Sequence, residues 1–181
     1  MEGRRLEEED NLELVIFDLD GTLVKIPIDY PKMYAQLREL FRINAAVVRM
    51  RQVDELTRNN LDLRRRAFQI LTAAEMEALL NLTVNPQTVD FKERFKGLKR
   101  ALVTLQGRET VDRILPRIPF KFDLVVTREN SLDRLEQIRH VIDTFRVCPE
   151  KVLVMGDRLN DKICAEKAGC RFMKVPTADD P

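Results

Sequence analysis

Two aspartates one residue apart close an apolar run: Asp18 and Asp20 in VIFDLDGTLV, Val15 to Val24. Two later apolar runs also stop at polar groups. ALVTL carries Thr104, and VLVMGDRLND carries Asp157 behind Gly156, with Asp161 four residues on. If these runs are parallel strands, their carboxyl ends share one edge of a sheet, where ligands bind. Three or four carboxylates and a hydroxyl then meet there. Carboxylates gathered so closely repel, and each is costly to desolvate alone. A hard divalent cation relieves both costs, and Mg²⁺ takes a few carboxylates together with waters and a phosphate oxygen. The set Asp18, Asp20, Asp157 and Asp161 therefore predicts a Mg²⁺ site. Beside such a cation one carboxylate can attack phosphorus, giving an aspartyl-phosphate. A second acid two residues away can protonate the leaving oxygen and then activate water. Gly21 allows a tight turn and Thr22 can brace it. Thr104 and nearby backbone N–H groups, at Leu105, can donate to a phosphoryl oxygen.

The elements needed to position these groups are legible in the hydrophobic pattern. Leu12–Phe17, Ala101–Leu105, Phe122–Thr127, Lys151–Gly156 and Arg171–Val175 are short, nearly continuous apolar runs, as expected of strands covered on both faces. Helical patterns alternate with them: 108–118, then 131–145 with Ser131 as N-cap, then 160–170 stopped at Gly169. Strand–helix alternation predicts an α/β fold, a Rossmann-like three-layer core around a parallel sheet. Residues 26–90 break the alternation. They read as helices over 30–43, 45–71 and 72–82, the last opened by a Thr72–Glu75 capping box, with no strand. The expected division is a core of 1–25 and 91–181 with an inserted all-helical cap of 26–90, placed over the mouth of the sheet.

Bulk properties exclude several classes. The 181 residues suffice for one core and a small insertion. Net charge is +1, so no global field recruits nucleic acid or a membrane surface. No apolar run approaches the roughly 20 residues of a membrane span. The charged N-terminus, MEGRRLEEED, has no signal-peptide core, so a soluble cytoplasmic protein, monomer or homodimer, is expected. Both tails read as loose. Cys148, Cys164 and Cys170 lack metal-ligand spacing and read as free core thiols. His140 lies mid-helix and reads as structural. LRRRAF, with Arg64, Arg65 and Arg66, sits in an insertion of 9 basic and 8 acidic residues (27–90) and reads as a solvated helix face.

FDLDGTLV, the threonine ending ALVTL and VLVMGDRLND resemble motifs I, II and IV of the haloacid dehalogenase (HAD) superfamily, over about Leu12 to Val175. The insertion is similar in position to the helical cap of the phosphoglycolate-phosphatase-like branch. The resemblance implies a Rossmann-like core, Mg²⁺ and an aspartyl-phosphate. It makes Asp18 the nucleophile and Asp20 the acid/base, which also lends its backbone carbonyl to the metal. By the same resemblance Thr104 would be the motif II hydroxyl, Asp157 a metal ligand, and Asp161 a second acid that binds the metal directly or through water. Aspartate at position 20 favours a phosphatase of small phosphorylated metabolites, or a phosphomutase, over a dehalogenase. One departure is plain. The family's motif III lysine is missing from TRENSLDRLEQIRH, Thr127 to His140, where its slot falls near Leu132. Arg134 is the nearest cation and is expected to serve in catalysis and substrate binding, with Arg128 the other candidate. Arginine binds phosphate bidentately but differs from lysine in size and geometry. Loss of that group would leave a non-catalytic binding or scaffold protein.

Overall fold

The structure, a computed structural model, describes residues 11–176. The expectations for the two tails lie outside the described residues.

Five parallel strands form the sheet: β1 (Leu14–Phe17), β4 (Lys99–Val103), β5 (Leu124–Val126), β6 (Val152–Gly156) and β7 (Arg171–Lys174). Their order is β5-β4-β1-β6-β7. β1 is central and wholly buried, which explains its unbroken LVIF run. Its residues alternate between two apolar layers. Val15 and Phe17 face one, built on Val111 and Ile114 of α5 (Arg108–Ile114) and on Phe91 of α4 (Thr88–Arg94). Leu14 and Ile16 face the other, built on Ile138, Val141 and Ile142 of α6 (Arg134–Phe145) and on Ala165 of α7 (Leu159–Lys167). This is the three-layer α/β core that the alternation predicts.

The insertion departs from expectation in three ways. It is not all helical. β3 (Thr83–Val84) pairs antiparallel with β2 (Val24–Lys25), closing the root of the insertion. Two residues are too few for a sequence pattern, and their partner lies on the far side of the insertion. Next, the expected helix over 45–71 breaks into α2 (Met50–Thr57) and the start of α3 (Leu61–Ala78), where the Asn60 side chain caps Leu63 N–H at 2.9 Å. Finally, no helix starts at Thr72. Thr72 and Glu75 lie inside α3, because their side chains are taken up by tertiary partners rather than by a cap. Together with α1 (Tyr30–Phe41), these helices bury their own small core of Met33, Leu37, Val48, Val53, Ala67 and Leu71. Leu132 from the core side joins that cluster. Smaller differences follow local chemistry. Asp133, not Ser131, caps α6 through Glu136 N–H at 3.0 Å. Pro116 stands just beyond the last turn of α5, which continues only as a 3₁₀ turn. Of the cysteines, Cys148 is exposed rather than in the core, Cys164 is half-buried and Cys170 is buried, and all are free.

Phe17, at the end of β1, ties the motif-bearing strand to the layer beneath it. Its ring lies 5.4–6.1 Å from those of Phe91, Phe95, Phe120 and Phe122. Phe17→Ala should therefore cost about 3–5 kcal/mol of stability in urea unfolding. A loss under about 1 kcal/mol would show that this cluster does not anchor the strand.

Candidate active site

The parallel register brings the acids together. Asp18 follows β1 and its N–H donates to Met155 O of β6 at 2.9 Å, which sets it beside Asp157 just past the end of β6. The chain then turns sharply, with Leu19 O accepting from the N–H groups of Thr22, Leu23 and Val24. Gly21 stands in the turn at φ +89°, and a Cβ there would collide with the Asp157 carboxylate. Glycine is required twice over, by conformation and by the approach of that acid. Thr22 does not brace the turn through its hydroxyl, which is buried without a partner. Its backbone does so, Asn85 Nδ2 donating to Thr22 O at 2.8 Å.

Asp18, Asp157 and Asp161 each offer a carboxylate oxygen, all within 4.8 Å of one another. Asp157 Oδ1 is buried and accepts no hydrogen bond. Burial, with Asp18 nearby, raises the Asp157 pKa. The same two causes push Asp161 up to about 6. Hard oxygen donors, mutual repulsion and a buried orphan oxygen fit a divalent cation such as Mg²⁺. Asp161 also has the bland role open to it in the first turn of a helix: its Oδ2 accepts from Arg158 N–H at 3.2 Å.

The Asp20 carboxylate is not part of this trio. Oδ1 accepts from Ile26 N–H at 2.9 Å, and Oδ2 lies 3.3 Å from the Arg158 guanidinium. Burial pushes its pKa up to about 6 against the pull of both partners. A cavity of about 570 Å³ opens beside it, lined in part by Ile26, Tyr30, Asn85 and Arg158. Tyr30 opens the first helix of the insertion and lines that cavity with Arg158.

The two arginines of the motif III segment part company. Arg134, in the first turn of α6, points back to the sheet edge. It donates to Asp18 Oδ1 at 2.5 Å and to Val103 O, and its Nε lies 3.4 Å from Asp161. Arg128 is fully buried and faces the other way, paired with Glu75 of α3. The slot expected at Leu132 holds that leucine in the insertion's core instead.

Thr104 is buried at the end of β4, held by its N–H to Val126 O at 3.0 Å. Its hydroxyl donates to the Gln106 side chain, a partner the sequence reading missed. Leu105 contributes a carbonyl to Arg128 at 3.3 Å. Gln137 was also missed. It is fully buried, and its amide donates to the carbonyls of Thr104, Thr127 and Ser131 at 2.8–3.1 Å. A polar residue beside Ile138 and Val141 on the apolar face of α6 was the available signal. His140 is exposed, and Arg64 and Arg65 pair with Asp54 and Asp62, as a solvated face requires.

Comparison with known proteins agrees with this geometry. A model of haloacid dehalogenase-like hydrolases matches residues 12–169. A haloacid dehalogenase-like hydrolase domain-containing protein of Arabidopsis thaliana is 28% identical over 165 residues, 86% of this chain and 67% of that protein. Among solved structures, a protein described as a predicted phosphatase from Clostridium acetobutylicum superposes with a TM-score of 0.66 at 19% identity, covering 91% of this chain and 84% of that one. CbbY from Rhodobacter sphaeroides, solved in complex with phosphate, gives 0.62 at 18% identity, covering 94% and 90%.

Mg²⁺ should raise the melting temperature, by the equivalent of about 2.7 kcal/mol at a hundredfold excess over its dissociation constant. Asp157→Asn should abolish most of that shift. An equal shift in the variant would place the ion elsewhere. With motifs I, II and IV on one sheet edge and the family model spanning nearly the whole described chain, the protein belongs to the haloacid dehalogenase-like hydrolases.

Proposed function

We propose that the protein is a Mg²⁺-dependent phosphatase that hydrolyses a small phosphomonoester through an aspartyl-phosphate on Asp18. The observation that carries this reading is the placement of Asp18. It shares the cation trio with Asp157 and Asp161 and is held from the other side by Arg134.

Asp18, Asp157 and Asp161 would hold the ion, which when bound screens the approach of a carboxylate to an anionic phosphoryl group. Arg134 fixes the Asp18 carboxylate through one oxygen and presents a second positive charge to the phosphoryl oxygens. The Asp18 carboxylate attacks phosphorus, and the bond to the leaving oxygen breaks. Asp20, off the trio and beside the cavity, gives that oxygen its proton. It then takes a proton from the water that splits the acyl-phosphate, so inorganic phosphate leaves and Asp18 is restored. Thr104, once its hydroxyl turns from Gln106, and the loop that follows it hold the phosphoryl oxygens. The insertion, which sends Tyr30 toward Arg158 and Asp20, shapes the space for the leaving group. No helix among the described residues is long and apolar enough to cross a membrane.

Arg134 weakens the alternative of a non-catalytic scaffold, because the motif III position is served by a different residue rather than lost. Phosphate release from p-nitrophenyl phosphate and a panel of metabolite phosphates should need Mg²⁺ and stop with EDTA. Asp18→Asn should lower turnover by at least about a thousandfold. Asp20→Asn should cost about a hundredfold or more on substrates with basic leaving groups. Undiminished release by Asp18→Asn would sink the proposal.

A further inference from the structure

The insertion and the core meet in a buried ionic cluster that the proposed chemistry does not use. Arg128, in the loop after β5, has a fully buried side chain, and Glu75 of α3 is 5% exposed. The Arg128 guanidinium pairs with Glu75 Oε1, donates to the Thr72 hydroxyl and lies 5.4 Å above the Phe68 ring. All three partners are on α3. The same guanidinium reaches back to Leu105 O at 3.3 Å. The other Glu75 oxygen, Oε2, accepts from Gly107 N–H at 3.1 Å and from the Thr110 hydroxyl at 2.8 Å. Gly107 has no room for a side chain, since a Cβ would strike the guanidinium. Arg128 N–H also donates to Gln106 O at 3.3 Å. The loop directly after Thr104 is thus gripped at Leu105 and Gly107 by one ion pair and at Gln106 by the Arg128 backbone, and half of that pair belongs to the insertion.

Charges so deeply buried are costly to desolvate, and the apolar volume of the site alone does not call for them. What apolar residues cannot supply is an acceptor for Gly107 N–H and a fixed donor for Leu105 O. We infer that Glu75 and Arg128 are positioning residues through which the helical insertion sets the loop Thr104–Gly107 that receives the phosphoryl group. This rests on the phosphatase reading. The pair also pins the α3 edge of the insertion to the core. Substrate then enters from the opposite edge, beside β2, β3 and Tyr30, where the cavity at Asp20 lies.

The test removes both charges together, so that neither is left buried alone. Glu75→Leu with Arg128→Met should still fold, melting below the wild type by the cost of the polar groups it frees at Gly107 and Leu105. Its kcat/KM should nevertheless fall about tenfold or more, because a misplaced binding loop is felt directly in the transition state. The inhibition constant of inorganic phosphate should rise by a similar factor, which a smaller folded fraction cannot cause. Glu75→Gln with Arg128→Met keeps an acceptor for Gly107 N–H and should recover to within about threefold of wild type, the worth of one neutral hydrogen bond. If the Leu/Met variant does not fold, Thr110→Val decides. It leaves the pair intact and should lower kcat/KM about threefold by freeing one bond to Glu75. Hydrogen exchange over Thr104–Thr110 supplies a readout independent of turnover, and exchange there should quicken in the Leu/Met and Thr110→Val variants. A wild type that releases no phosphate would refute the phosphatase reading, while faster exchange would still support the strut. A folded Leu/Met variant with wild-type kcat/KM, phosphate inhibition and exchange would overturn it. So would an unchanged Thr110→Val where that variant decides.

Discussion

The site is built on an imbalance of charge at one buried sheet edge. Asp18, Asp157 and Asp161 contribute three negative charges with oxygens inside 4.8 Å and Asp20 adds a fourth beside them, while Arg134 and Arg158 return two positive charges. Four minus two leaves a deficit of two. At an effective dielectric near 20, two like unit charges 4 Å apart repel by about 4 kcal/mol. A divalent cation matches the charge that remains. Burial first, and the Asp18 charge beside it, raise the proton affinity of Asp157 and Asp161. The Asp20 carboxylate stands off the trio and faces Arg158, which also lies 3.8 Å from Asp157. The sheet therefore separates two kinds of carboxylate. One group is suited to a cation and a nucleophilic role, the other to carrying a proton.

That separation depends on short-range backbone geometry, which is why much of it was legible in the sequence. Asp18 and Asp20 point to different partners because Gly21 turns the chain at once, and the DLDG string encodes the turn. The strand ends at Thr104 and Asp157 follow from apolar runs of four or five residues that stop at polar groups. The long-range contacts were not legible. β3 is two residues long and exists only because β2 meets it across the whole insertion. Thr72 and Glu75 have the spacing of a capping box, but Arg128, more than fifty residues on, claims both. Arg134 and Arg128 are six positions apart in one charged segment. What distinguishes them is that Asp133 starts α6 and so aims Arg134 at the sheet edge, while Arg128 leaves β5 toward α3.

The insertion is joined to the core in two different ways. On one side the β2–β3 pair and Tyr30 bring it beside the Asp20 cavity. On the other, the Glu75–Arg128 pair reaches the loop after Thr104. The groups proposed to take the leaving oxygen and to hold the phosphoryl group are thus both framed by the same inserted segment. Gln137 fixes the Thr104 carbonyl from the core side. Changes in the insertion can therefore alter the site without touching any residue that contacts phosphorus.

The central claim is that Asp18 itself accepts the phosphoryl group. The most direct measurement uses Asp20→Asn with p-nitrophenyl phosphate, whose leaving group needs no proton. Acid quenching and peptide mass mapping would locate the phosphoryl group. Phosphorylation that accumulates on the peptide carrying Asp18, and disappears in Asp18→Asn, is the predicted result. Release of p-nitrophenol with no phosphorylated Asp18, or with the label on another residue, would contradict the account.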